Sequence, residues 1–102
     1  MNWGTACTKN PYENAFAVEL GLRGVPFEQQ RSFDVLYKTV RVGEFVPDLL
    51  VGGTVVVDAK VIDRVTDLER GQMLNYLKIT HLKVGLIINF KKAKLEWERI
   101  VL

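Results

Sequence analysis

The sequence predicts one α/β domain with the order helix, three strands, helix, two strands. Three observations carry this. Two stretches, near residues 11–23 and 66–80, combine helical spacing of apolar residues with helix start or stop signals. Runs rich in Val, Ile, Leu and Phe fill the space between and after them, bounded by Gly, Pro and polar residues. The chain has 102 residues, 48% hydrophobic and 25% charged, which suits a single globular domain with one modest core.

The first helix is predicted over Pro11 to Arg23. Proline suits a first helical turn, and Gly24 is a natural stop with Pro26 just beyond. Tyr12, Ala15, Phe16, Glu19 and Leu22 fall on one stripe, taken as the inward face. Phe27 to Tyr37 reads as one strand. A turn near Lys38-Thr39 leads into a second, from Val40 to Val51. Gly52-Gly53 is a strong hairpin signal, and Thr54 to Val61 is the third strand. Its Val55-Val56-Val57 run is apolar on both faces, which predicts a central position. Thr66 and Glu69 have capping-box spacing at the head of a second helix running to about Thr80. Lys83 to Phe90 reads as a buried strand, and Leu95 to Leu102 as a last strand of poor alternation.

Fourteen basic and 12 acidic residues leave a net charge of +2, which excludes a histone-like polycation but not a local basic patch. Cys7 is the single cysteine, so no internal disulfide forms, in keeping with a reducing cytoplasm. The first residues carry no signal-peptide pattern, and no apolar run reaches the ~20 residues that span a bilayer.

The chemistry concentrates in one hairpin. Asp48 and Asp58 lie in otherwise apolar strand sequence, and Lys60 follows two residues after Asp58. Strand interiors exclude Asp because an unpaired buried charge is expensive. Register decides whether the two carboxylates meet. A two-residue Gly52-Gly53 loop would turn them to opposite faces. A three-residue Gly52-Gly53-Thr54 loop, or a bulge beside Pro47, would bring them together, and the sequence predicts one of these two. Asp58 and Lys60 share a face in any register. Converging carboxylates favour a hard divalent cation, Mg²⁺ or Mn²⁺, which binds phosphate oxygens and acidifies water. Lys60 would orient that water or stabilise charge on a phosphate. The plainer reading is that Asp48 caps a strand end while Asp58 and Lys60 form a cross-strand ion pair. On the second helix Gln72 and Tyr76 share a face with Leu68 and Ile79, either aimed at the hairpin or hydrogen-bonded to each other.

Other residues carry weaker signals. His81 follows the second helix and reads as a C-terminal or exposed residue rather than a ligand. Cys7 has no neighbouring His that would make it a nucleophile. Lys91-Lys92-Ala93-Lys94 reads as a solvated basic turn, so Arg64, Arg70 and Lys78 are the better phosphate candidates. Trp97, between Glu96 and Glu98, reads as core packing rather than a base-stacking platform.

Pro47-Asp48, then Asp58-Ala59-Lys60, then Gln72-Met73-Leu74-Asn75-Tyr76 resembles the PD-(D/E)XK nuclease superfamily with its downstream Gln-x-x-x-Tyr motif. More narrowly, the chain is similar to the small bacterial GxxExxY proteins of that superfamily. Tyr12-Glu13-Asn14-Ala15, the segment from Arg23 to Gln30, Leu74 to Lys78, Lys83 to Phe90 and Leu95-Glu96-Trp97 support this, so the likeness runs from Tyr12 to Leu102. The resemblance implies a restriction-endonuclease-like αβββαβ core, a mixed central sheet flanked by helices with an extra C-terminal strand. It implies that Asp48, Asp58 and the Ala59 carbonyl bind metal. It implies that Lys60 is the catalytic lysine and that Gln72 and Tyr76 support the site or the nucleic acid.

The chain also departs from that pattern. Lys9 stands where the motif has Glu, Ala6 where it has Gly, and Asp58 where these proteins usually have Glu. Residues 1–11 read as a divergent or truncated segment lacking a preceding helix. Glu13 and Glu19 remain on the first helix as candidate substitutes for the lost Glu, the plainer reading being solvated side chains or ones paired with Lys or Arg. The leading expectation is a metal-dependent nuclease acting on nucleic acid, DNA in the first place. Its rivals are a nucleic-acid-binding module with a decayed site, and a self-associating module whose uncovered apolar face makes a homo-oligomer.

Overall fold

A computed structural model describes residues 11–91 and 93–102. Helix α1 (Pro11–Leu22) is followed by β1 (Phe27–Gln29), β2 (Phe33–Tyr37), β3 (Val40–Phe45), β4 (Leu49–Val51) and β5 (Val55–Lys60). Helix α2 (Asp67–Thr80), β6 (Val84–Asn89) and β7 (Glu96–Val101) complete the fold. Five strands form a sheet in the order β1-β4-β5-β6-β7, while β2 and β3 form a separate two-stranded arm. The β5–β6 pair is parallel and the other ladders are antiparallel, so the sheet is mixed. Parallel neighbours need a crossover, and α2 supplies it.

The sheet separates two packing layers. Toward α2 lie Leu50, Val56 and Ile87, packed with Val65, Met73 and Leu77. Toward α1 lie Leu49, Val57 and Ile88, packed with Ala17. Successive residues of β4 and β5 alternate between these layers, as pleated strands must. β5 is central and buried on both sides, as its valine run predicts.

Helix ends follow local chemistry. α1 stops where Gly24 adopts φ +70°, and the Val25 N–H donates to the Leu20 carbonyl. At α2 the Thr66 hydroxyl accepts from the Leu68 N–H, and the Glu69 carboxylate accepts from the Thr66 N–H at 2.7 Å, forming the predicted capping box. No helix among the described residues is long and apolar enough to cross a membrane.

Four expectations need correction. The stretch 27–37 is two strands, because Gln30 takes φ +64° and sends the chain out into the arm. The stretch 40–51 is also two strands, broken at Val46-Pro47, where proline offers no N–H to a ladder. The inward stripe of α1 is rotated: Glu13 and Ala17 are buried, while Tyr12, Ala15 and Leu22 are exposed. Trp97 is not core, since it is 62% exposed on a β7 that alternates cleanly between faces.

Candidate active site

The hairpin register was the open question, and the loop has three residues. Val51 pairs with Val55 around Gly52-Gly53-Thr54, and Leu49 pairs with Val57. Gly52 and Gly53 both take positive φ, which they tolerate without a Cβ clash. Asp48, one residue before β4, therefore stands opposite Asp58. Its carboxylate accepts the Ala59 N–H at 2.8 Å, so Asp48 is tied to the strand that carries Asp58 and Lys60.

Asp58 and Lys60 project toward α2, two residues apart on one face. Lys60 Nζ lies 3.1 Å from an Asp58 oxygen and donates to Gln72 Oε1 at 3.5 Å. The strand cap of the plainer reading is formed, and its ion pair forms within β5 rather than across strands; both coexist with convergence of the acids. Tyr76, one turn after Gln72, stacks on Phe45 with ring centroids 4.2 Å apart. No Gln72–Tyr76 hydrogen bond forms among the described residues. Phe45, Pro47, Asp48, Asp58 and Tyr76 line a cleft at this point.

The electrostatics fit a cation site. Burial raises the Asp58 carboxyl to about 6, and a shared hydrogen bond with Asp48 adds to this, against the pull of Lys60. Burial also raises Asp48, opposed by the Ala59 N–H and by Asp58, and the charge of Glu13 raises it further. Two carboxyls that share a proton offer hard oxygens to a divalent ion once the proton leaves. Lys60 goes the other way: burial lowers its pKa, the Asp58 carboxylate more than restores it, and it stands above an ordinary lysine. Its ammonium form is therefore secure. Among the described residues, no group of three or more His, Cys, Asp or Glu side chains gathers tightly enough to hold a metal.

The structure separates the two substitute glutamates. Glu13 is only 4% exposed, accepts from Gln29 Nε2 at 2.9 Å, and is close enough to act on Asp48. Glu19 is exposed and paired with Arg23. Of the phosphate candidates, Arg70 is committed elsewhere, gripping Glu98 and Asp67. Arg64 and Lys78 are exposed. His81 caps α2 in a left-handed conformation with φ 61°, away from the acids. Cys7, Ala6 and Lys9 lie outside the described residues.

Two supporting residues carry no motif. Gln29 bridges Glu13 and Asn14, and looks in the sequence like any polar strand residue. Asn89 is 1% exposed and pairs in register with Lys60. Its side chain accepts from the Ile62 N–H and donates to the Ile62 carbonyl and to Glu96, pinning the chain just after Lys60. An Asn closing an apolar strand is the signal that could have found it.

The sequence and the fold have counterparts in known proteins. A family model of the PD-(D/E)XK nuclease superfamily matches residues 1–100. The fold is similar to that of an alkaline exonuclease from Laribacter hongkongensis, with a TM-score of 0.55 and 17% identity over 86% of this chain. The match takes in 53% of that exonuclease, so this chain spans about half its length. No curated protein matches the sequence. With a family match over nearly its whole length, on a restriction-endonuclease-like fold, the chain belongs to the PD-(D/E)XK nuclease superfamily.

Proposed function

We propose that this chain, a GxxExxY-like member of the superfamily, is a divalent-metal-dependent nuclease that hydrolyses phosphodiester bonds, with DNA as its substrate. One observation carries the reading: the three-residue loop brings Asp48 opposite Asp58, with Lys60 on the same face.

Asp48, Asp58 and the Ala59 carbonyl would hold Mg²⁺ or Mn²⁺, in a superfamily whose members generally use divalent metal ions. The ion, when bound, neutralises phosphate charge and acidifies a water. Two carboxylates suffice for an ion that keeps several waters and takes substrate oxygens as further ligands. Lys60 acts from beside Asp58, where its ammonium lies 3.1 Å from the carboxylate. It donates to the attacking water or to the phosphate as charge develops there. Gln72 holds the Lys60 ammonium in place. Tyr76 walls the cleft and keeps Phe45 against it.

The lack of a third clustered carboxylate among the described residues favours a second reading, a nucleic-acid-binding module whose site has decayed. Exposed Leu36, Tyr37, Val40 and Val42 on the arm favour self-association as a property of either form. Cleavage of linear duplex and single-stranded DNA, with Mg²⁺, Mn²⁺ or a chelator, separates the two main readings. Metal-dependent cleavage that Asp58→Asn abolishes supports the nuclease. Cleavage unchanged in Asp58→Asn overturns the assignment, and salt-sensitive binding without turnover selects the decayed module.

A further inference from the structure

Strand β7 separates its charges by face. Glu96, Glu98 and Ile100 turn inward toward α2. There Glu96 accepts from the Val65 N–H and from Asn89, and Glu98 takes the Arg70 guanidinium. Trp97, Arg99 and Val101 turn to the other face, where α1 covers Leu49, Val57 and Ile88 but not β7. Trp97 is 62% exposed, and Arg99 is exposed with no ion-pair partner among the described residues. Both acids of the strand are thus engaged behind the sheet, Glu98 by a guanidinium and Glu96 by neutral donors, and the outward face carries Trp97 and Arg99.

The surroundings extend this character. Trp97 pairs with Ile88, which puts Phe90 diagonally across from it on the same face. Phe90 in turn stacks on Tyr12, with centroids 5.4 Å apart and planes within 17°. Lys91 and Lys94 flank the turn that joins β6 to β7, with Lys91 paired to Asp63.

We propose that the outward face of β7 is a stacking platform for single-stranded DNA, with Trp97 contacting a base and Arg99 a phosphate. The choice of DNA rests on the nuclease reading above; the platform rests on the face itself. Unpaired bases offer π-faces to an exposed indole, and this contact tolerates any sequence. A duplex keeps its bases stacked and gives Trp97 nothing to cover. A second copy docked about a two-fold axis through this face would press Arg99 toward its own equivalent. The row Ala59, Ile88, Trp97 crosses the sheet in register. The platform therefore lies two strand spacings, ~10 Å, from the strand of Asp58 and Lys60, on the opposite face. A strand laid on it reaches the cleft by rounding the ends of β5 and β6 past the lysine turn.

The test is metal-free anisotropy with labelled oligo(dT) and a matched duplex, on wild type, Trp97→Ala, Trp97→Phe and Arg99→Ala. Trp97 is exposed, so its variants should melt as the wild type does. Trp97→Ala is expected to weaken single-strand binding about 5- to 100-fold, with Trp97→Phe retaining most of it and duplex binding unchanged. Arg99→Ala should lower the slope of log K against log salt by about 0.7. Single-strand affinity unchanged in Trp97→Ala, or absent in the wild type, overturns the platform. So does a dimer of the free protein that Trp97→Ala dissociates, which would assign the face to a second copy. Cleavage in Mg²⁺ is read separately. Cleavage without Trp97-dependent binding leaves the nuclease reading standing and removes the platform; binding without cleavage does the reverse.

Discussion

Replacing Asp58 by Asn should stabilise the protein while removing one ligand of the proposed metal site. The Asp58 side chain is 15% exposed, and burial lifts its carboxyl from 3.8 to about 6. A lift of roughly two pH units corresponds to about 3 kcal/mol, already net of the attraction to Lys60. The sign follows from the direction of the shift. A carboxyl raised in the folded state favours folding while protonated, so its contribution is complete below about pH 4 and lost as pH rises through about 6. Near pH 8 the wild type therefore carries an ionised, desolvated Asp58 at its own expense, whereas the amide of the variant is neutral throughout. Asp58→Asn should gain about 2–3 kcal/mol near pH 8, raising Tm by on the order of 10 °C in a domain of this size. The gain should vanish near pH 4. Saturating Mg²⁺ should protect the wild type and not the variant. Urea denaturation at both pH values, with and without Mg²⁺, measures all of this. A variant no more stable than wild type near pH 8 without metal, or a gap that persists near pH 4, would refute the reasoning.

Three further outcomes are expected. Lys60→Ala should cut cleavage by about 10²–10³-fold, as loss of a positioned charge donor does, while calorimetry finds Mg²⁺ binding equal or tighter because Asp58 loses its competing cation. Thr66→Ala opens the capping box and should lower stability by about 1 kcal/mol in a urea melt. Gly85→Ala puts a methyl group into the buried Met73 side chain and should cost about 1–3 kcal/mol, and the double variant with Met73→Ala should lose less than the sum of the two single changes.

Much of this was legible in the sequence because local rules and tertiary demands agreed. The valine run, the capping box and the stop at Gly24 each point to one conformation, and each forms. The hairpin was legible as a pair of alternatives, since only a bulge or a longer loop could reconcile two aspartates with one face. Breaks without punctuation were not legible. Gln30 turns the chain at positive φ with no glycine, so 27–37 read as one strand. The α1 stripe failed for a different reason. Apolar periodicity assigns Glu13 to solvent, but a site that draws a carboxylate inward overrides periodicity. Trp97 failed likewise, because hydrophobicity alone cannot tell a covered sheet face from an open one. Asn89 was invisible because its worth lies in partners 27 residues away in the chain.

The three-residue loop has a consequence for how this domain tolerates change. β4 has only three residues, and the loop length acts together with buried Leu49 and Leu50 and the Asp48 bond to Ala59 in fixing its alignment with β5. Loss or gain of one codon at Gly52-Gly53-Thr54 would shift Asp48 past Asp58 and turn it to the α1 side, while every residue of the acidic pair survived in the gene. Inheritance of the site therefore depends on a length as much as on letters. A descendant could keep Asp48, Asp58 and Lys60 and still lose their convergence through a single deletion in the loop.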